Sequence, residues 1–158
     1  MDEWKRLMKP ALRALYQPAM RLARGLTLGT RGVLVDAEGR VLLVRHSYVP
    51  GWSFPGGGVA RGETLLAALA RELREEVGVE LEEAPRLHGM FANFEEFRGD
   101  HVAVFVAERW RRPGPARRNL EIVEQRLFAP GEWPETLTPG TRRRLAELFE
   151  GTPVSETW

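Results

Sequence analysis

The sequence predicts an α/β/α sandwich, a mixed β-sheet with helices on both faces. Three observations carry this reading. Alternating or apolar runs at 26–36, 41–46, 87–97, 101–110 and 122–128 have strand length and are bounded by turn residues. Two stretches, about 64–77 and 138–149, repeat apolar residues at helical spacing. A chain of 158 residues, 43% hydrophobic and 28% charged, is the size of one domain with one core.

Residues 1–25 stand apart in composition. Trp4, Leu7, Met8, Leu12, Leu15 and Met20 alternate with Lys5, Arg6, Lys9, Arg13 and Arg21, which predicts a basic amphipathic helical extension broken near Pro10 and Pro18. Packing on the domain, packing on a second subunit in a homodimer, and reversible contact of residues 1–24 with an anionic membrane surface all fit such a segment.

The first two strands, Leu26 to Asp36 and Val41 to His46, are joined by a hairpin turn at Asp36-Ala37-Glu38-Gly39-Arg40. Ser47 to Ser53 reads as a loop that delivers Trp52 and Phe54 to the glycine-rich segment Gly56-Gly57-Gly58. Glycines there let backbone groups approach a ligand closely, and Pro55 stiffens the entry.

Leu65, Leu66, Leu69, Leu73 and Val77 form the stripe of the first helix, with Thr64 or Gly62 starting it and Gly78 ending it. Glu72, Glu75 and Glu76 fall on one flank of that helix, beside the stripe. Crowded carboxylates repel and raise one another's pKa unless a cation sits among them. All-oxygen donors, in a chain without cysteine, suit Mg²⁺ or Mn²⁺ rather than zinc. The competing reading is a solvated helix face on which Arg71 pairs with Glu75.

Leu87 to Phe97 and His101 to Trp110 read as antiparallel strands about an Arg98-Gly99-Asp100 turn, followed by a basic loop holding Arg109, Arg111, Arg112, Arg117 and Arg118. Ile122 to Phe128 is the last strand. Thr138-Pro139 opens a terminal helix that runs to about Phe149, and 151–158 reads as a flexible tail.

The loop and helix together resemble the Nudix, or MutT-related, hydrolases. Gly57, Glu63, Arg71, Glu72, Leu73, Glu75, Glu76, Gly78 and Val79 fill every specified position of the family signature without a gap. The resemblance covers 26–150 and implies the Nudix fold for that domain. It also implies Glu75 and Glu76 as leading metal ligands, the Gly57 carbonyl as a further one, and Glu72 as a ligand or an aid to water activation. Arg71 would orient these carboxylates, and Glu63 would brace the loop against the helix. Many family members carry an acidic residue where Ala60 stands, which bears on an outer metal site.

The implied reaction is Mg²⁺-dependent hydrolysis of the pyrophosphate linkage in a nucleoside diphosphate joined to another group. Nucleoside triphosphates, nucleotide sugars such as ADP-ribose, dinucleoside polyphosphates and capped RNA all qualify. Candidate substrate contacts are Arg45, Trp52, Phe54, Gly57, Gly58 and Glu124. Arg45 reads equally as a strand-end charge and Trp52 as a packing anchor. The family often draws a further carboxylate from outside the signature, and Glu95, Glu96, Asp100, Glu121 and Glu124 are the candidates. The alternative function is a noncatalytic Nudix module that binds a nucleotide or regulates a partner.

The formal charge of +1, from 23 basic and 22 acidic residues, gives no field that marks a stable nucleic-acid partner. No apolar run is long enough to span a bilayer, and the absence of cysteine fits a reducing compartment, so the reading is cytoplasmic.

Overall fold

The computed structural model describes residues 25–114 and 121–158, so the N-terminal extension through residue 24, with Arg117 and Arg118, lies outside the described residues. Eight strands are described: β1 (Thr27–Val35), β2 (Val41–His46), β3 (Trp52–Ser53), β4 (Glu80–Leu81), β5 (Arg86–Ala92), β6 (Asp100–Ala107), β7 (Trp110–Arg111) and β8 (Ile122–Phe128). Two helices accompany them, α1 (Leu65–Val77) and α2 (Pro139–Phe149).

The main sheet runs β3-β2-β1-β6-β5, with β8 added on β2. Parallel pairing of β1 with β6, from Thr27↔Asp100 to Leu34↔Ala107, makes it mixed. The other main-sheet pairs are antiparallel, and β1 and β3 share one edge of β2 while β8 follows the other.

Both faces are covered, and the period of two in the central strands shows how. Val33, Val41, Leu43, Val102, Val104 and Val106 pack with Leu145 of α2, whereas Leu34, Leu42, Val44, Ala103 and Phe105 pack with Leu69, Leu73 and Val77 of α1. Gly32 admits α1 closely: a Cβ there would stand 3.2 Å from Leu73 Cδ2. This is the α/β/α sandwich the sequence predicts.

Helix α1 starts and stops on local signals. Thr64 Oγ1 accepts a hydrogen bond from the Ala67 N–H at 3.2 Å, and Gly78, at φ 67°, turns the chain left-handed. Thr64→Ala is expected to cost about 1 kcal/mol in urea denaturation, with Thr64→Ser close to the parent.

Three readings need correction. The strand expected at Leu87–Phe97 ends at Ala92, because the Asn93 carbonyl accepts from the Phe97 N–H at 3.0 Å and folds 93–97 into a turn. Trp110 leaves the β6 strand to pair with Leu81 in a separate two-stranded sheet, and its indole N–H reaches the Val35 carbonyl at 2.9 Å. Third, 151–158 is held at its end: Ala92 N–H donates to the Glu156 carbonyl and Trp158 N–H to the Ala92 carbonyl, both at 2.9 Å, which bridges Thr157 to the last residue of β5.

Candidate active site

The loop from Gly56 to Gly58 is pinned to β1 by its own backbone. Thr30 N–H donates to the Gly57 carbonyl at 2.8 Å, Gly32 N–H to the Pro55 carbonyl at 2.9 Å, and Val59 N–H to the Leu28 carbonyl at 2.9 Å. Gly56 has φ 137°, and a Cβ there would lie 2.1 Å from the Thr30 carbonyl oxygen. Glycine is the residue that fits.

Helix α1 lies against this loop and brings its charged flank with it. Arg71 forks onto Glu63 through Nε and Nη2 at 2.9 and 3.0 Å, reaches Glu72 Oε1 through Nη1 at 2.6 Å, and donates to the Gly58 carbonyl at 3.1 Å. Glu63 Oε2 also accepts from the Ala60 N–H at 3.0 Å. The Arg71 hydrogen bond, with that backbone donor, holds the Glu63 carboxyl below its ordinary range, and Glu63 and Glu72 hold Arg71 well above its own. One guanidinium thus ties helix to loop and partly neutralises Glu72.

Glu76 is buried on the same flank. Its Oε2 accepts from the Gly56 N–H at 2.8 Å, and its Oε1 lies 3.0 Å from His46 Nε2 at the end of β2. Glu72 sits against Gly57, where a Cβ would come 2.4 Å from the carboxyl carbon. Glu75 is about 42% exposed and, among the described residues, lies 3.8 Å from Arg71.

Among the described residues, no three His, Asp or Glu side chains surround a single point. The donors nonetheless fit a hard divalent ion. Carboxylates of Glu72 and Glu76 with the Gly57 carbonyl are all oxygen, and Gly57 leaves open the space beside Glu72 that any side chain would fill.

Glu72, Glu76, Gly57 and Gly58 line a cleft of about 1130 Å³. His46, Tyr48, Arg31 and Asn93 line it too, with Arg143, Thr157 and Trp158 from the α2 side. Of the five candidate carboxylates outside the signature, Glu95, Glu96, Asp100 and Glu121 border it. Asp100 is committed to Thr27 Oγ1 at 2.6 Å and Asn93 Nδ2 at 2.9 Å.

Four expected substrate contacts lie elsewhere. Phe54 is fully buried, and Trp52 packs edge-on against Phe128 at 5.0 Å in the core, since both point to the apolar face under α2. Arg45 and Glu124 stand opposite one another in the β2–β8 ladder and form a salt bridge at 2.8 Å, outside the cleft lining. His46, which the sequence reading passed over, is at the site. Its position beside Arg45 at the end of β2 was the available signal, because neighbouring strand residues face opposite ways.

A family model described as NUDIX domain matches residues 25–149. The chain belongs to the Nudix family. It is 29% identical over 125 residues to a MutT-like protein of Streptomyces ambofaciens, covering 79% of this chain and 78% of that one. An RNA pyrophosphohydrolase of Halorhodospira halophila is 51% identical over 47 residues, 30% of this chain, and the match spans only 26% of that relative's length. The crystal structure of a MutT NUDIX hydrolase from Burkholderia pseudomallei superposes with a TM-score of 0.67 at 27% identity, covering 77% of this chain and 97% of that one. Nudix hydrolases generally use divalent metal ions. Among the described residues, no helix is long and apolar enough to cross a membrane.

Proposed function

We propose that this Nudix protein is a Mg²⁺-dependent pyrophosphohydrolase that cleaves a nucleoside diphosphate linked to another group. The observation that carries the reading is the seating of the Glu72 carboxylate against Gly57, with Glu76 anchored on Gly56 beside it. Glu72, Glu75, Glu76 and the Gly57 carbonyl would hold the ion. When bound, Mg²⁺ supplies charge neutralisation on the phosphates and a lowered pKa for the attacking water.

The chain's own residues set the positions. Arg71 fixes Glu72 and keeps the helix registered on the loop, Glu63 holds Arg71, and the backbone bonds to β1 keep the loop from yielding. Catalysis then rests on placement and electrostatics. The cysteine-free composition supports a cytoplasmic setting.

The test is release of nucleoside monophosphate or phosphate across a panel of nucleoside diphosphate derivatives. Turnover should require added Mg²⁺ and vanish with a chelator. Glu76→Gln should fold, since the amide can accept from Gly56 N–H and donate to His46, yet lose at least about tenfold in turnover. No turnover of any diphosphate by the parent, with tight nucleotide binding retained, would make the protein a binding module.

A further inference from the structure

Two arginines face this cleft from the α2 side of the sheet without a salt-bridge partner among the described residues. Arg31 lies on β1 two residues before Val33, on the face whose Val33 packs with Leu145 of α2. It is half-buried, and among the described residues its hydrogen bond runs from Nη1 to the Thr30 carbonyl at 3.1 Å. Arg143, on α2, is also half-buried. Its Nε is shut off from solvent with no hydrogen-bond partner among the described residues. Neither forms an ion pair among the described residues, and both line the cleft that Glu72 and Glu76 line.

A buried guanidinium N–H without an acceptor is costly, and the planar fork of an arginine matches a phosphate. The carboxylates and the arginines also line one cleft. The loop that carries Gly56 crosses β1 so closely that a Cβ on Gly56 would stand 2.9 Å from Arg31 Cα, while Gly56 N–H is bound to Glu76. The cleft therefore has an acidic part suited to a cation-held diphosphate and, next to it, a basic part that needs an anion.

Resting on the hydrolase reading above, we propose that Arg31 and Arg143 bind a third phosphate of the substrate. The preferred substrate class is then nucleosides carrying three or more phosphates, over nucleotide sugars. A nucleotide sugar brings two phosphates and a neutral sugar, which leaves both guanidiniums unanswered. A third phosphate accepts from both.

The experiment compares Mg²⁺-supported hydrolysis of a nucleoside triphosphate and of a nucleotide sugar by the full chain and by Arg143→Gln, Arg143→Lys and Arg31→Gln. Each Gln variant should raise KM for the triphosphate about 10- to 100-fold with kcat little changed and leave the nucleotide sugar unaffected, while Arg143→Lys should retain part of the affinity that Arg143→Gln loses. Calorimetric titration with tripolyphosphate reads the same site without turnover and should weaken by a similar factor. Because Arg143→Gln removes an unpartnered buried donor, its Tm should hold or rise. Equal KM changes for both substrates, a lowered Tm, or unchanged tripolyphosphate binding would overturn the proposal. Tripolyphosphate bound through Arg143 by a protein that hydrolyses nothing would keep the anion site and sink only the hydrolase reading. Hydrolysis indifferent to both arginines would do the reverse.

Discussion

Gly57→Ala is expected to lower turnover at least about 100-fold while leaving the domain folded. The added methyl would fall 2.4 Å from the Glu72 carboxyl carbon, a distance at which one of the two must move. The loop cannot, because the Gly57 carbonyl is held by Thr30 N–H at 2.8 Å and Gly56 N–H by Glu76 at 2.8 Å. Glu72 therefore swings away and pulls against Arg71, which grips it at 2.6 Å. A shift of about 1 Å in a positioning group is enough to cost about 100-fold in rate. Steady-state kinetics beside a circular-dichroism melt checks this. Parent-like kcat with Mg²⁺ would mean that the seating of Glu72 on Gly57 has no bearing on chemistry.

The largest stability effect is expected at Glu147→Ala, about 3–5 kcal/mol, or a fall in Tm of roughly 10 °C. Arg144 is fully buried in α2, and Glu147, also buried, takes its Nε and Nη2 on separate oxygens. His88 Nε2 at 2.8 Å and Ser155 N–H at 2.9 Å complete the carboxylate. Arg144 also donates to Ser155 Oγ and the Thr157 carbonyl, and its guanidinium stacks 3.6 Å above the Phe91 ring. Without Glu147 that charge is stranded in the core and the 151–158 segment loses its anchor. Glu147→Leu with Arg144→Leu should recover much of the loss, because no buried charge is left unpaired. A single variant no less stable than the double would refute this account.

The same group sets an acid dependence. Burial pushes the Glu147 carboxyl up, but the bonds from Arg144, Ser155 N–H and His88 outweigh it and leave the pKa below the ordinary 4.5. The folded chain thus holds this proton less tightly than the unfolded chain. The stabilisation is complete above pH 4.5 and disappears as pH falls through the lowered value. Comparing urea midpoints of the parent and Glu147→Gln from neutral pH down to pH 3 should show the two curves converging in acid.

Three consecutive arginines show why part of this molecule could be read directly and part could not. In sequence, Arg142, Arg143 and Arg144 look alike, a basic turn of a terminal helix. In the fold, Arg142 donates to the Glu135 carbonyl at 3.0 Å, Arg143 lines the cleft, and Arg144 is the largest fully buried side chain among the described residues. Their fates depend on what the 151–158 segment and β5 bring against α2, and local spacing carries no record of that. Trp52 and Phe54 read as substrate contacts from their proximity to the glycine loop, Arg45 from its place near a strand end and Glu124 from its local Glu-Ile-Val-Glu context; none of these signals tells which face of the strand is covered.

What the sequence alone determined is the part built from neighbours along the chain. The cap at Thr64, the stop at Gly78, the stripe of α1 and the flank holding Glu72, Glu75 and Glu76 all follow from spacing within a few turns. Alternation in the central strands fixed the two-sided sheet. The tertiary structure alone decided which groups meet across 30 or more positions, as His46 meets Glu76 and His88 meets Glu147. Such pairs are set by the packing of whole layers, since burying the apolar faces dictates where each polar side chain at their margins must find a partner.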